Sequence, residues 1–330
     1  MTGTERVLSG IRPTGVGKHL GNYLGAVRQW GELQDSYECF FFVADLHALT
    51  TTEGGADLRV HTRNTVAELL AMDIDPARST IFAQSHIAPH TELSWILQCL
   101  TGYGEATRMT QWKDKGGSGA SVGLLTYPVL QAADILLYQP QRVPVGEDQR
   151  QHLELTRDLA QRFNHRYGPT FTVPEPYAGV PGQRIKDLQD PAVKMSTSRG
   201  GPGTLWVVDE PAVIVKKIKS AVTDTGREVR AGEDKPGISN LLTILSVATG
   251  TSVPELEAAY DGKGYGDFKA AVAEAVVELF APVRKAFREL VGAPDHLDDV
   301  LAAGADRARE CAATTMAQVR ERVGLLAPRP

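Results

Sequence analysis

The stretch "DPAVKMSTSRGGPG" runs from Asp190 to Gly203 and gathers Lys194, Met195, Ser196, Thr197, Ser198 and Arg199 ahead of three glycines and a proline. Glycine and proline at this density mark a loop. Its two cations, three hydroxyls and free backbone N–H groups suit phosphate oxygens. A second phosphate-seeking stretch is "RPTGVGKHLGN", Arg12 to Asn22. Gly15, Gly17 and Gly21 let the backbone approach a ligand, and a helix opening near Asn22 aims N–H groups at an anion. His19 and Asn22 add donors. A P-loop needs Ser or Thr after Gly-Lys, where this chain has His19, and Gly where it has Arg12. The dinucleotide fingerprint fails on spacing, with Pro13 intervening. On pattern alone, a glycine turn without a ligand stays open.

Asp134 is the next candidate. In "YPVLQAADILLY" helical spacing places it on one face with Tyr127, Leu130 and Tyr138. A carboxylate among apolar groups is costly unless paired. It serves either an internal ion pair or hydrogen bond, or a ligand N–H or O–H in an aromatic pocket. In "VGEDQ", Gly146, Glu147, Asp148 and Gln149 close a strand; the two acids either favour a helix dipole or hold ribose hydroxyls or an ammonium. Lys113 and Lys115 in "TQWKDK" are either solvated or close on a phosphate. His47 and His86 follow two further strands and either pack or line the same crevice.

These groups need a frame. "RVLSGI", "YECFFFVADLHAL", "STIFAQS" and "RVPVGED" read as strands, the second apolar from Cys39 to Ala44, as in a parallel sheet covered on both faces. Helical patterns alternate with them, among them "DLRVHTRNTVAELLAMD", "DQRQHLELTRDLAQRFN" and "YPVLQAADILLY", the last with Pro128 in its first turn. This predicts an α/β fold: a Rossmann-like, doubly wound parallel sheet, which binds ligands beyond the carboxyl ends of its strands. After the Lys194 loop only helical patterns follow, so a second, all-helical domain is expected. The expected divisions are a catalytic domain over 1–204, a helical domain over 205–300 and a terminal helix over 301–330 that packs back. Net charge is −5 over 330 residues, which excludes a general nucleic-acid binder but not a local basic patch. Lys216, Lys217 and Lys219 are either such a patch or a solvated face. No apolar run reaches a membrane span, the N-terminus lacks a signal-peptide core, and Cys39, Cys99 and Cys311 form no C-x-x-C. A cytoplasmic protein without structural zinc or disulfides is expected.

"KHLGN" followed by "KMSTS" resembles the two signatures of class I aminoacyl-tRNA synthetases, HIGH and KMSKS. "SGIRPTG", "MTQWKDK", "LLTYPVLQAADILLY", "VPVGEDQRQHLELTRDLAQRFN", "KKIKSAVTD" and "KPGISNLL" are similar to the bacterial tryptophanyl branch, from about residue 6 to 325. The resemblance implies activation of L-tryptophan by ATP with Mg²⁺, transfer to tRNA(Trp), a homodimer and a helical domain that reads the anticodon. It places Arg12, Pro13, Thr14, Gly21, Asn22, Gly146, Glu147, Asp148, Ile185, Lys194 and Met195 at ATP. It places Asp134 at the indole N–H, and Tyr127, Gln149 and His47 around the amino acid. His19, Asn22, Lys113, Lys194, Ser196, Thr197 and Ser198 would serve the transferred phosphate.

Two positions depart from the pattern. Thr197 stands where a second lysine is usual, and Arg12 where glutamine is common. Losing one preorganised donor from such a site costs roughly 10²–10³ in rate; Arg12 is expected to supply part of the missing charge. A divergent isozyme with altered inhibitor sensitivity fits these changes, and unchanged inhibition after Arg12→Gln with Thr197→Lys would argue against it. The alternatives are a tyrosyl enzyme and an impaired paralog that acts as a binding or regulatory protein.

Overall fold

The structure is a computed structural model that describes residues 4–13, 15, 17–24, 28–50, 56–117, 119–146, 149–177, 185–197 and 200–326. Five strands, β1 (Arg6–Ile11), β2 (Glu38–Val43), β3 (Ser79–Ala83), β4 (Arg142–Pro144) and β5 (Glu175–Tyr177), form one sheet in the order β3-β2-β1-β4-β5. Every pairing is parallel, with Val7 opposite both Cys39 and Arg142. The run from Cys39 to Val43 is apolar throughout because the sheet is covered twice. Cys39, Phe41 and Val43 join Val7, Ile81 and Ala83 in one apolar cluster. Phe40 and Phe42 join Leu8, Phe82 and Val143 in the other.

Between the strands lie α1 (Leu20–Asn22), α2 (Arg28–Leu33), α3 (Asp45–Ala48), α4 (Ala56–Ala71), α5 (Pro89–Gln98), α6 (Tyr103–Ala106), α7 (Thr110–Lys115), α8 (Val122–Leu137) and α9 (Arg150–Tyr167). After the signature loop come α10 (Pro211–Lys219), α11 (Pro236–Thr249), α12 (Val253–Ala259), α13 (Tyr265–Val291) and α14 (Pro294–Val323). The first cluster runs without a break from the sheet into α10, α11 and α13 through Ile214, Leu241, Phe268 and Phe280. The second takes Ala305, Ala308, Ala312 and Met316 of α14. Gly304 lets that helix lie on β3: a Cβ there would stand 1.7 Å from the Ile81 carbonyl oxygen.

Three local readings need correction. Helix α8 begins six residues before Pro128, because the Ser121 hydroxyl caps it by accepting from the Leu124 N–H at 3.2 Å. Pro128 is therefore interior and leaves the Leu124 carbonyl without its helical donor. The strand expected over "STIFAQS" ends at Ala83, and Gln84–His86 turn into one 3₁₀ turn. The strand expected over "RVPVGED" stops at Pro144. β5 escapes a pattern reading because "EPY" is three residues long and carries Pro176.

Candidate active site

The sheet winds in opposite directions from β1, so the crevice opens beyond the carboxyl ends of β1 and β4. Arg12 and Pro13 leave β1 directly into it. The turn that follows needs glycine: Gly17 has φ +76°, and a Cβ there would meet the Glu68 carboxylate at 2.6 Å. Lys18 is buried beside Glu68, and its ammonium donates to the Arg12 carbonyl at 3.4 Å. Burial pushes Glu68 up to about 7 against the pull of Lys18.

His19 caps α1. Its Nδ1 accepts from the Asn22 N–H at 3.2 Å, and its own N–H donates to Asn22 Oδ1 at 3.4 Å. Burial, then Lys194 and Lys18, lower His19 to about 4. The imidazole is therefore neutral at pH 7, and with Nδ1 accepting, its proton sits on Nε2 as a donor.

The second signature is held by backbone to the segment that precedes it. Lys186 bridges Lys194, the Met195 N–H donates to the Ile185 carbonyl at 3.0 Å, and the Leu188 N–H donates to the Gly203 carbonyl at 2.9 Å. The segment that follows lies antiparallel to the first turn. The Leu20 N–H donates to the Leu205 carbonyl at 2.8 Å, the Val207 N–H to the Lys18 carbonyl at 2.9 Å, and Trp206 meets the His19 ring edge-on. Ile185 and Met195 are buried, and Ile185 lies 3.9 Å from where a Cβ of Gly21 would stand. So His19, Asn22, Gly21, Ile185, Lys194, Met195, Ser196 and Thr197 share one region. Lys217 braces it, bonded to Asp209 at 2.7 Å and to the Thr204 carbonyl at 2.8 Å. It is thus neither in an RNA-facing patch nor on a solvated face; Lys216 and Lys219 remain exposed.

Asp134 has no exposed surface. Gln84 Nε2 donates to Oδ1 at 2.8 Å, and His90 Nδ1 and His47 Nε2 lie 2.7 Å from Oδ1 and Oδ2. Burial alone would raise this carboxyl, but His47 and then His90 outweigh it and hold it at about 2. Beside it the His47 ring meets Tyr127 edge-on. The Tyr127 hydroxyl is 3.0 Å from His152 Nε2, and His152 Nδ1 is 2.9 Å from Gln149 Oε1. Gly146 accepts from the Gln149 N–H at 3.0 Å. Arg12 lies near enough for the Tyr127 phenol to act on its guanidinium. Asp134, His47, Tyr127, Gln149 and Arg12 are therefore brought together.

Other expected residues are placed differently. Lys113 is exposed on α7, and among the described residues no hydrogen bond or ion pair ties its ammonium to the crevice. His86 is exposed and faces Asp298 of α14. Thr14, Glu147, Asp148 and Ser198 lie outside the described residues. Sequence reading missed Gln84, His90 and His152. They stand beside Asp134 and Tyr127 only because the strands end together, although "AQSH" and "GEDQRQH" mark two of those ends.

The profile of the tRNA synthetases class I (W and Y) matches residues 2–281. The chain belongs to this family of class I tRNA synthetases. Tryptophan enzymes are among the proteins it is similar to. It is 57% identical to tryptophan–tRNA ligase 2 of Streptomyces avermitilis, over 97% of each chain. Among solved structures it is similar to tryptophanyl-tRNA synthetase from Campylobacter jejuni complexed with ADP and tryptophan, with TM-score 0.87, 35% identity, and 97% of this chain and 100% of that one covered. The tryptophanyl-tRNA synthetase from Mycoplasma pneumoniae gives TM-score 0.86 at 38% identity over 98% of both chains.

Proposed function

We propose that this protein activates L-tryptophan with ATP to tryptophanyl-adenylate and pyrophosphate, then transfers tryptophan to tRNA(Trp). The carrying observation is Asp134: a fully buried carboxylate beyond the ends of β2 and β3, beside the His47 and Tyr127 rings, with three donors on its oxygens. Indole N–H is donor-only, so a carboxylate with an acceptor site left reads it. Tyr127, Gln149 and His47 surround the amino acid. Arg12, Pro13, Thr14, Gly21, Asn22, Gly146, Glu147, Asp148, Ile185, Lys194 and Met195 bind ATP.

In activation an oxygen of the tryptophan carboxylate bonds to the α-phosphorus and the bond to the pyrophosphate oxygen breaks. Such chemistry needs position and cancellation of developing charge more than covalent help. Lys194, Lys113, the hydroxyls of Ser196, Thr197 and Ser198, and the Nε2–H of neutral His19 supply the latter. Among the described residues no group of three His, Cys, Asp or Glu side chains is placed to hold a metal. Mg²⁺ would come bound to the ATP phosphates, where it would neutralise charge. Residues 205–300 form the anticodon-reading unit, 301–330 pack back on the catalytic part, and the protein works as a homodimer.

Asp134→Asn tests the reading. The new amide sets an N–H where indole needs an acceptor, so charging of tRNA(Trp) with tryptophan should fall at least about a hundredfold. Charging at the parent rate would refute it.

A further inference from the structure

We propose that His90 and Tyr138 are positioning residues that set tryptophan selectivity by fixing the one acceptor site Asp134 keeps for the indole. The inference rests on the function proposed above and deepens it.

An ionised carboxylate offers about four acceptor sites. On Asp134, Gln84 Nε2 takes one at 2.8 Å, His90 Nδ1 another at 2.7 Å and His47 Nε2 a third at 2.7 Å. One lone pair, on Oδ2, is left without a donor among the described residues. Its direction depends on what clamps Oδ1. Gln84 does so while its own Oε1 accepts from the His47 N–H at 3.4 Å. His90 does so only if its proton is on Nδ1. A neutral imidazole has one N–H, and the partner of the other nitrogen decides where it sits. That partner is the Tyr138 hydroxyl, 2.9 Å from Nε2. With the hydroxyl donating to Nε2, Nδ1 must carry the proton and donate to Asp134. The other tautomer would press two acceptors together at 2.7 Å.

His90 meets Asp134 on Oδ1, not on the Oδ2 that keeps the free lone pair, and Tyr138 stands behind His90. Tyr138 and His90 have no exposed surface, and the Tyr138 ring is packed against Phe40 and Phe82 at 5.2 and 5.4 Å between centroids. The hydroxyl is thus held in place at the far side of the imidazole and acts through it. A purely structural role would leave selectivity untouched, and this distinguishes the two.

The test is tryptophan-dependent exchange of labelled pyrophosphate into ATP by the full chain. It compares tryptophan with its analogue carrying sulfur in place of the indole N–H. Tyr138→Phe leaves His90 Nε2 a buried acceptor without its donor, so the ring is no longer held and its Nδ1–H clamp on Asp134 Oδ1 loosens; the ratio of kcat/KM for tryptophan to that for the analogue should fall about tenfold, the worth of one buried hydrogen bond. The analogue's own value should stay within about twofold, which also reports that the variant folds. His90→Asn keeps an amide donor where Nδ1 stood and needs no hydroxyl, so in that background Tyr138→Phe should change the ratio no further. An unchanged ratio in Tyr138→Phe, or an equal fall for both substrates, overturns the inference. Absence of exchange by the parent with tryptophan overturns the functional reading beneath it.

Discussion

Asp134 stays charged inside an aromatic pocket because three N–H groups replace the water it loses. Held at about 2, its carboxyl contributes stability above its ordinary 3.8 that is lost as pH falls through 2. His19, lowered from 6.5 to about 4, adds a loss in the same direction, since the unfolded chain takes up its proton first. Glu68, raised from 4.5 to about 7, works oppositely and costs stability as pH rises across that interval. Neither Asp134 nor His19 changes charge near neutrality, so the tryptophan KM should be flat from about pH 7 to about pH 8.5. A step in that window, abolished by His19→Asn, would contradict the neutral imidazole. Asp134 was legible in the sequence because a lone carboxylate on an apolar helical face demands a partner. Its partners were not, because Gln84 and His90 lie 50 and 44 residues away and meet it only through strand order.

The first signature forms an element pair with the segment just past the second. Backbone hydrogen bonds between Lys18–Leu20 and Leu205–Val207 hold it, so the separation of the first signature and this segment is set by main-chain geometry. Sequence spacing gave their order and not this pairing, since a bridge at a single residue leaves no period-2 pattern. The α8 start shows the converse: Ser121 is a readable cap, but proline's preference for the first helical turn points to a later start at Pro128. Helix α14 depends on close approach. Gly304→Ala would drive a methyl into the Ile81 carbonyl and should destabilise the protein by about 3 kcal/mol, read as a lower urea midpoint. An unshifted midpoint would mean that α14 is not seated on β3.

Across the whole molecule, the alternation of strand residues between two apolar clusters explains why a continuous run such as Cys39–Val43 could be read as a parallel strand. What that reading lacked was the extent of the first cluster, which reaches through Phe280 into the helical part and joins both halves. No helix among the described residues is long and apolar enough to cross a membrane. Trp95, Tyr103 and Val122, 67%, 77% and 75% exposed, stand on α5, α6 and α8, and α5 and α6 each pack on α8. The homodimer proposed above would cover these apolar groups. Trp95→Ser with Tyr103→Ser should reduce the mass seen by light scattering to the 35.7 kDa of one chain; an unchanged dimer would place the interface elsewhere. The most direct test of the central claim is exchange of labelled pyrophosphate into ATP with tryptophan and tyrosine offered separately. Exchange with tryptophan alone is predicted, because only indole brings an N–H to Asp134. Exchange with tyrosine, or with neither, would contradict the account.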